Sequence, residues 1–388
     1  MEKKYLLLLI LLVFSSCSKD EGIIEKPSQA LTNITLRSTN DAKNIVIEYL
    51  GSMNVKSNPI DTDKMTVEVI TSKDFPETKA LSKNDIPFKS DTLFYFISGV
   101  DNPMIISANK ACDPILAILD NPIGSLKNEM NNIAPNNVGL MMFLENAVAY
   151  NQYTEFNPTK SQERELRFLD QVYPKLMVEW DQTGPFARYT PYNWPAGCVA
   201  IAAAQAFTVT RHVASFNNVP LEWNSLIKVK NSSYESSFPL EMDIIARFIR
   251  EIGNAIGMEY GSDGSGAKTA DAIRLFTQFD MMYLTEDKAR IREILKDYMD
   301  GIIIISSRTK PSIIGISRGE GHSYIVDGYK RFQDMSDLMH VNYGWGPGYN
   351  GYYLTCLYSP YFTDDAPSKY PHDWTFYCIY KHKNPIFQ

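Results

Sequence analysis

One cysteine stands where the local sequence favours ionisation of its thiol. Cys198 follows Gly197 and opens an alanine-rich run, Val199 to Gln205, that is typical of a helix. The unpaired N–H groups and the positive dipole end of a helix N-terminus favour an anion. The thiol of Cys198 is therefore expected to ionise more readily than that of a free cysteine. Cys198 is the first candidate nucleophile.

A nucleophilic thiol needs a base, and the best candidate among the five histidines is His322. It lies in the run Gly319-Glu-Gly-His-Ser-Tyr-Ile-Val-Asp-Gly328, at the head of a predicted strand. A cysteine at a helix start and a histidine far along the chain meet only in the folded protein, as such pairs usually do. His340, in the run His340-Val-Asn-Tyr-Gly-Trp-Gly346, competes for the same role.

Five stretches, in this order, resemble the streptopain family of papain-fold cysteine peptidases. They are Trp180-Asp-Gln182, the Gly-Cys198-Val-Ala run with its later Gln205, the loop from Met258 to Ala267, the His322 run and the His340 run. The resemblance covers roughly the C-terminal half. A more diffuse similarity relates part of the N-terminal half to the family's propeptide, which holds the histidine side of the site away from its working position until it is removed.

The resemblance implies acyl-enzyme chemistry. Cys198 would attack a peptide carbonyl, and His322 would take the thiol proton and then protonate the leaving amine. Gln182 would stabilise the oxyanion together with the backbone N–H of Cys198. No cofactor is implied, and the partners would be protein or peptide substrates and the chain's own propeptide as an intramolecular inhibitor.

The same resemblance assigns supporting residues. Asn342 would orient the imidazole and Trp345 would shield that hydrogen bond from water. The family usually has tryptophan where this chain has Tyr343, so the sequence leaves open which aromatic ring covers the imidazole. The glycine-rich loop from Met258 to Ala267 would form a wall of the substrate cleft. The subsite of that cleft next to the scissile residue would favour apolar side chains. The predicted substrate-binding residues are Gly264, Ser265, Gly266 and Gly321.

Two other classes of function stay open. One is a catalytically inactive surface binding or inhibitory module, for which Tyr343 is the only hint. The other is a thiol acyltransferase on the same fold, passing the acyl group to an amine instead of water. A further alternative to the peptidase and to both of these classes is that Cys198 is a buried structural cysteine, because free cysteines are usually buried.

Bulk properties narrow the choice of class. The chain has 388 residues, 44% of them hydrophobic, which is enough for two domains with substantial cores. A net charge of −7 leaves no basic face for nucleic acid, and no paired Cys or His spacing predicts a zinc site. Cys356 and Cys378 are interpreted as buried apolar cysteines, with a bridge between them as the alternative.

The N-terminus reads as an export signal. Residues 1–17 combine a short basic start, an apolar run too short to span a membrane, and the run Phe14-Ser-Ser-Cys17, which resembles a lipoprotein cleavage box. Cys17 would then carry the lipid of an outer-membrane lipoprotein, and Ser18-Lys-Asp-Glu21 resembles a tag for surface exposure. An ordinary secretory signal cleaved near Ser16 is the alternative, and the protein is exported in both.

The rest of the chain predicts an α+β fold in several parts. Residues 18–40 form a tether and 41–150 a small α+β propeptide domain, with an adhesion or accessory module as its alternative. Residues 151–175 form an activation linker, cut between Lys160 and Lys175. Residues 176–388 form a papain-like two-lobed peptidase domain, a helical lobe followed by an antiparallel β lobe.

Overall fold

The protein is described here by a computed structural model. The structure describes residues 35–53, 61–75, 90–131, 138–156, 166–211, 213–285, 290–309, 321–355 and 372–381. The predicted signal peptide, its Cys17, most of the tether and Cys356 lie outside the described residues. None of the described helices is long and apolar enough to cross a membrane.

The helices follow local sequence signals. The first begins at a capping box in which Ser38 and Asp41 satisfy each other's backbone N–H groups. The 239–255 helix begins with proline and buries one apolar stripe, which includes Met242, Ile245 and Ile249. The described α-helices are α1 (Thr39–Ser52), α2 (Leu126–Asn131), α3 (Val138–Phe156), α4 (Cys198–Thr210), α5 (Trp223–Leu226), α6 (Pro239–Ala255), α7 (Thr269–Thr277) and α8 (Ile291–Asp297).

The strands are short and mostly rich in β-branched and aromatic residues. In chain order they are β1 (Thr66–Thr71), β2 (Thr92–Ser98), β3 (Met104–Ser107), β4 (Ile115–Leu119), β5 (Phe168–Val172), β6 (Ser215–Phe216), β7 (Val219–Pro220), β8 (Met282–Thr285), β9 (Ile302–Thr309), β10 (Gly321–Phe332), β11 (Leu338–Asn342), β12 (Gly351–Leu354) and β13 (His372–Tyr380).

One antiparallel sheet runs through both halves of the chain. Its order is β1-β2-β3-β4-β12-β11-β10-β9-β13-β8, and β5 pairs with the end of β10 beyond the stretch that pairs with β9. The pairing of β4 with β12 joins N-terminal strands directly to C-terminal ones. The strands β6 and β7 form a separate hairpin.

The two faces of the C-terminal part of this sheet bury different cores. Along β9, Ile303 and Ile305 pack in one core, while Ile302 and Ile304 pack in the other, as the two-residue period of a strand requires. The first core includes side chains of α1, α3 and α8, and we call this side the α3 face. The second includes side chains of α4, α6 and α7, and we call it the α4 face.

The predicted α+β fold is confirmed. Helices precede antiparallel strands in the C-terminal half, as the sequence predicts. Met104–Ser107 and Leu338–Asn342, two runs whose residues are typical of strands, form β3 and β11. Among the elements that were not predicted, α3 extends into the predicted linker and β5 forms within it. The predicted domain boundaries and the cleavage window stay predictions, and residues 160–165 of that window lie outside the described residues.

Candidate active site

The loop before α4 fixes the position of Cys198. Gly197 has φ of +90°, a left-handed conformation that favours glycine, and it stands immediately before the first helical residue. A Cβ at Gly197 would lie 2.7 Å from the sulfur of Met258 and 3.1 Å from the carbonyl oxygen of Ser265. The glycine therefore lets the start of α4 pack directly against the 258–266 segment, which places that predicted cleft wall beside Cys198.

The thiol of Cys198 is un-ionised in this arrangement. Burial raises its pKa, and backbone N–H groups that donate toward the sulfur, from Ser323, Val199 and Cys198 itself, oppose the rise only in part. The residue keeps some exposure to solvent. The N-terminal end of α4 does supply the expected donors, but the predicted ease of ionisation is not realised in this state.

Gln182 carries a donor that the described structure leaves unused. The residue is only 4% exposed, and its backbone carbonyl accepts a hydrogen bond of 2.7 Å from the N–H of Ala196, two residues before the cysteine. No hydrogen-bond partner for its side-chain nitrogen exists among the described residues. An unpaired buried donor costs about 1 to 3 kcal/mol, so its position calls for a reason. Donation to a substrate oxyanion supplies one.

Asn342 lies on the Cys198 side of the sheet rather than on the imidazole. Its side-chain oxygen accepts from Gln205 Nε2 at 3.2 Å and from the N–H of Gly344 at 2.9 Å, and its amide nitrogen donates to the carbonyl of Val178 at 3.3 Å. Gln205 also accepts from the N–H of Trp180 at 2.9 Å. This buried network ties α4 to β11 and to the segment that leads to Gln182. The predicted hydrogen bond from the imidazole to Asn342 is absent.

The imidazole of His322 has a different acceptor. Its Nε2 lies 2.9 Å from the carbonyl oxygen of Tyr343, and since a carbonyl only accepts, Nε2 carries the proton. The ring stacks near Trp345, with centroids 6.4 Å apart and an interplanar angle of 16°, and near Tyr324 at 5.8 Å and 26°. The Tyr343 ring also lies 6.4 Å away, at 26°. Of these three rings Trp345 is the most nearly parallel to the imidazole.

His322 is neutral at physiological pH. The residue is 6% exposed, and burial lowers its pKa to about 4, although the Tyr343 carbonyl favours the charged form. A neutral imidazole and a neutral thiol do not form the ion pair that thiol catalysis uses. Neither of the two reactive side chains is therefore charged in this structure.

The thiol of Cys198 and the imidazole of His322 are not hydrogen bonded to each other in the described structure. Side chains alternate along β10, so His322 shares the α3 face with Tyr324, whereas Ser323 faces α7 and lies 2.6 Å from the hydroxyl of Thr269. The backbone N–H of Ser323 meets the thiol instead. Cys198 therefore lies next to Ser323, the neighbour of His322, while the imidazole of His322 lies on the α3 face.

Helix α3 touches the residue that holds the imidazole. A Cβ at Gly139 would lie 2.2 Å from Cδ1 of Tyr343, so only a glycine allows α3 to approach that ring so closely. The Tyr343 side chain is buried between α3 and the sheet, and its ring is 5.5 Å from that of Tyr353. An element of the N-terminal half therefore packs on the residue whose carbonyl accepts from His322.

The four predicted substrate-binding residues separate into two places. Gly264, Ser265 and Gly266 lie in the loop beside Gly197, where the backbone of Gly266 pairs with that of Glu259. Gly321 begins β10, next to His322, and pairs with Arg308 of β9. No substrate is bound, so their role stays a prediction.

Sequence reasoning missed several residues of this site. The Ser323 N–H and the Tyr343 carbonyl are backbone groups, whose contacts no side-chain pattern reveals. Gln205 was part of the recognised stretch, and a glutamine within an apolar helix is a signal for a buried hydrogen-bond network. Among the described residues, no group of three or more Cys, His, Asp or Glu side chains could hold a metal ion.

A helix-borne cysteine, a buried glutamine donor and a nearby strand histidine define the class as a papain-like thiol hydrolase. Residues 180–353 match the model of the Peptidase C10 family. This part of the chain belongs to that family and forms a cysteine peptidase domain, so the resemblance to streptopain-type peptidases predicted from the sequence is confirmed.

The solved structures that match the chain include two from Prevotella intermedia. A fragment of Prevotella intermedia prointerpain A with a cysteine-to-alanine substitution matches with a TM-score of 0.53 and 16% identity, covering 82% of this chain and 100% of its own. Active wild-type Prevotella intermedia interpain A, a cysteine protease, matches with a TM-score of 0.40 and 20% identity, covering 54% of this chain and 95% of its own. No curated protein matches the chain.

Proposed function

We propose that the chain is the latent precursor of an exported cysteine endopeptidase with Cys198 as nucleophile and His322 as base. The observation that carries the proposal is the difference between the two reactive residues. Cys198 and the Gln182 donor lie close along one loop, while the Nε2 proton of His322 is bonded to the Tyr343 carbonyl under α3. The nucleophile side is assembled and the base is held apart from it.

Activation requires the imidazole of His322 to reach the thiol. The S–H proton then passes to the imidazole, and the thiolate bonds to the carbonyl carbon of the scissile peptide. The oxyanion accepts from Gln182 Nε2 and from the N–H of Cys198. As the C–N bond breaks, the imidazolium protonates the leaving amine. Water, deprotonated by the imidazole, hydrolyses the thioester and restores the thiol.

Removal of the N-terminal half is the proposed trigger. The contact of Gly139 with Tyr343 belongs to α3 and would be lost with it. We place the activating cut in the first part of the Lys160–Lys175 window, before Phe168, because Phe168–Val172 pairs with β10 as strand β5. A cut there leaves β5 in the mature sheet.

The test compares the intact chain with the cut chain, by which we mean the chain cleaved within residues 157–165 and freed of its N-terminal half. Each is treated with a peptidyl thiol-reactive probe and, separately, with casein. We expect the probe to label Cys198 and casein to be degraded only after the cut. Mass spectrometry of the labelled peptide identifies the cysteine. Equal labelling and equal proteolysis before and after the cut would contradict latency.

The alternatives give different results in the same assay. A thiol acyltransferase is labelled at Cys198 but transfers the acyl group of a peptide ester to an added amine in preference to water. A binding or inhibitory module is not labelled even after the cut. Either result would replace the endopeptidase proposal.

We also propose that the protein is an outer-membrane lipoprotein anchored through Cys17. The support is the sequence run that ends on Cys17, which resembles a lipoprotein cleavage box. Metabolic labelling with an alkynyl fatty acid tests it: the full-length chain should be labelled and the Cys17→Ala variant should not. Equal labelling of both would overturn the anchor, and export of an unlabelled chain would favour the ordinary secretory signal.

A further inference from the structure

A second buried histidine joins the two halves of the chain. His340 on β11 is 5% exposed, and both of its ring nitrogens meet carboxylate oxygens. Nδ1 lies 2.5 Å from Oδ1 of Asp327 on β10, and Nε2 lies 2.7 Å from Oδ2 of Asp120, which directly follows β4 in the N-terminal half. The imidazole of His340 is therefore hydrogen bonded at both nitrogens, to Asp327 on one side and to Asp120 on the other.

This geometry requires a charged ring. When both carboxylates are ionised they only accept, and both nitrogens of His340 then carry protons. Burial alone would lower the pKa of His340, but the Asp327 carboxylate, together with Asp120, outweighs that effect and raises it to about 10. His340 is thus an imidazolium wherever the two halves are assembled at physiological pH, whereas His322 in the same sheet is neutral.

The two carboxylates belong to different halves. Asp327 is fully buried, accepts from the N–H of Leu176 at 2.7 Å, and stays with the peptidase domain after any cut before β5. The Asp120 side chain is 31% exposed and leaves with the N-terminal half. Two further bonds accompany it: the Asp120 N–H donates to the carbonyl of Asn350 at 2.9 Å, and Asn121 donates to that of Pro347 at 2.7 Å.

We propose that His340 is the anchor at which the peptidase domain receives the Asp120 carboxylate, a proton-linked contact that makes the N-terminal half dissociate more readily as pH rises. The inference rests on the proposed function, in which the N-terminal half is the inhibitor. It adds the contact that binds the N-terminal half to the peptidase domain. The binding group on the peptidase domain is the buried imidazolium of His340, and the group that it binds on the N-terminal half is a carboxylate.

The direction of the pH effect follows from linkage. In the assembled protein His340 has two carboxylate partners, and in the separated peptidase domain it keeps Asp327 alone. Because Asp327 is fully buried beside the ring, we expect the loss of Asp120 to outweigh any gain in hydration, so that the pKa of His340 falls on separation. The assembled state then binds the proton more tightly. Association is strongest while His340 is charged in both states, and it weakens as pH rises toward about 10, where the assembled form also loses the proton.

Other charged groups around this contact titrate in a similar range. Lys330 on β10 lies over the ring of Tyr352, 4.4 Å from its centroid, and burial lowers the pKa of that lysine to about 8. Lys175 donates to two backbone carbonyls near Asp327, and burial lowers its pKa to about 8 as well. The Tyr352 ring lies 5.0 Å from that of His340, and burial and the nearby aspartates raise its pKa above the usual range. Of the two lysines, Lys330 is the one that also interacts with Asp120, so the experiment must separate Lys330 from His340.

The test uses the whole chain with Cys198→Ala, which removes the nucleophile, and an inserted cleavage site within residues 157–165. Cutting the folded chain gives a nicked complex whose two parts remain together. The dissociation rate is measured in a fixed sub-denaturing urea concentration between about pH 7 and about pH 10, the interval in which the proton is lost. Asp120→Asn keeps the side-chain size and removes the charge. Asp101→Asn, an exposed aspartate of the same half, is the matched control.

We expect Asp120→Asn to speed dissociation by about 10- to 100-fold near pH 7, the loss of one charge-assisted bond to a buried partner. Its rate should change little with pH, whereas the rates of the unsubstituted nicked chain and of Asp101→Asn should rise with pH. The rise should persist in Lys330→Met, which removes one titrating lysine.

Dissociation of Asp120→Asn within twofold of the control would overturn the proposal. So would an unsubstituted complex that becomes tighter with rising pH, or a pH dependence that disappears in Lys330→Met. Because the readout is separation of two parts of an inactive chain, the result does not depend on hydrolysis. Failure of the endopeptidase proposal would appear in the casein assay instead.

Discussion

The two faces of the central sheet hold the two halves of the candidate active site in different states. On the α4 face, Cys198 begins a helix whose loop also positions Gln182, and a buried amide network fixes the helix to β11. On the α3 face, His322 donates to the Tyr343 carbonyl and has no hydrogen bond to the thiol. The groups on the α4 face are in position for chemistry, although the thiol is un-ionised, and the imidazole on the α3 face is not.

The difference follows from how each residue is held. Cys198 is fixed by helix geometry and by side chains packed on several sides, so moving it would break a core. His322 is the second residue of β10, at the end of a ladder, where rearrangement disturbs few backbone pairs. We therefore expect regulation of this protein to act through the base and to leave the nucleophile in place.

The largest expected effect comes from removing the nucleophile. Cys198→Ala should lower kcat of the cut chain by about 10⁴-fold or more, since nothing else in the site bonds to the substrate carbon. If maturation is autocatalytic, the same variant should not process itself. Casein hydrolysis and gel analysis of the precursor are the measurements.

Cys112→Ala is the matched control for Cys198→Ala. Cys112 is buried in the N-terminal half, and burial raises the pKa of its thiol to about 12, so it cannot serve as the nucleophile. Processing and activity of the cut chain should survive this change. Continued self-processing of pure Cys198→Ala protein would show that another protease performs the cut.

Gln182→Ala should have the next largest effect. Losing one oxyanion donor costs about 10²- to 10³-fold in kcat. Alkylation of Cys198 by iodoacetamide passes through no oxyanion, so its rate in the cut variant should stay near that of the unsubstituted chain. Gln278→Ala, an exposed glutamine at the end of α7, is the control. A variant with unchanged kcat would remove Gln182 from the site.

The α4 face could be predicted from the sequence and the α3 face could not. Cys198 at a helix start, Gln182 upstream and the 258–266 loop are local patterns, and the structure places all three together. The position of His322 depends on a backbone carbonyl at Tyr343, which no residue pattern records. The role of His322 stays a prediction, and its hydrogen bond to the Tyr343 carbonyl could not be foreseen.

The junction of the two halves was also beyond sequence reasoning. The sequence shows an apolar segment at Asp113–Leu119 and a β-rich run at Tyr352–Thr355, but nothing in either segment indicates that β4 pairs with β12. Pairing between strands so distant in the chain depends on tertiary packing. The same limit hid the Asp120–His340 contact, whose two partners give no paired signal in the sequence.

The low pKa of His322 predicts acid instability of the precursor. The folded-state pKa of about 4 lies below the unfolded value of about 6.5, so the unfolded chain binds the proton more tightly. The stability from this group is fully present above about pH 6.5 and is lost as pH falls through about 4. The loss amounts to about 3 kcal/mol by the difference between the two pKa values.

Urea unfolding of the Cys198→Ala precursor across that interval measures the effect. A matched His322→Gln variant cannot take up the proton, so its free energy of unfolding should fall less by that amount between about pH 6.5 and about 4. Carboxylates contribute equally to both proteins and cancel in the difference. Parallel pH curves for the two would show that the imidazole is not held neutral and buried as described.

The smallest expected effect tests how the α3 face is closed. Gly139→Ala puts a methyl group into the Tyr343 ring, 2.2 Å from its Cδ1, and overpacking of this kind costs about 1 to 3 kcal/mol. The precursor should unfold at lower urea, and probe labelling of Cys198 should become faster as Tyr343 is displaced. Gly51→Ala, in α1 with nothing within 4 Å of the added Cβ, should instead leave labelling unchanged.

After the cut and removal of α3, the Gly139 variant should match the unsubstituted enzyme, because the peptidase domain no longer contains the substitution. Faster labelling in Gly51→Ala as well would assign the effect to general loosening of the N-terminal half rather than to the contact with Tyr343.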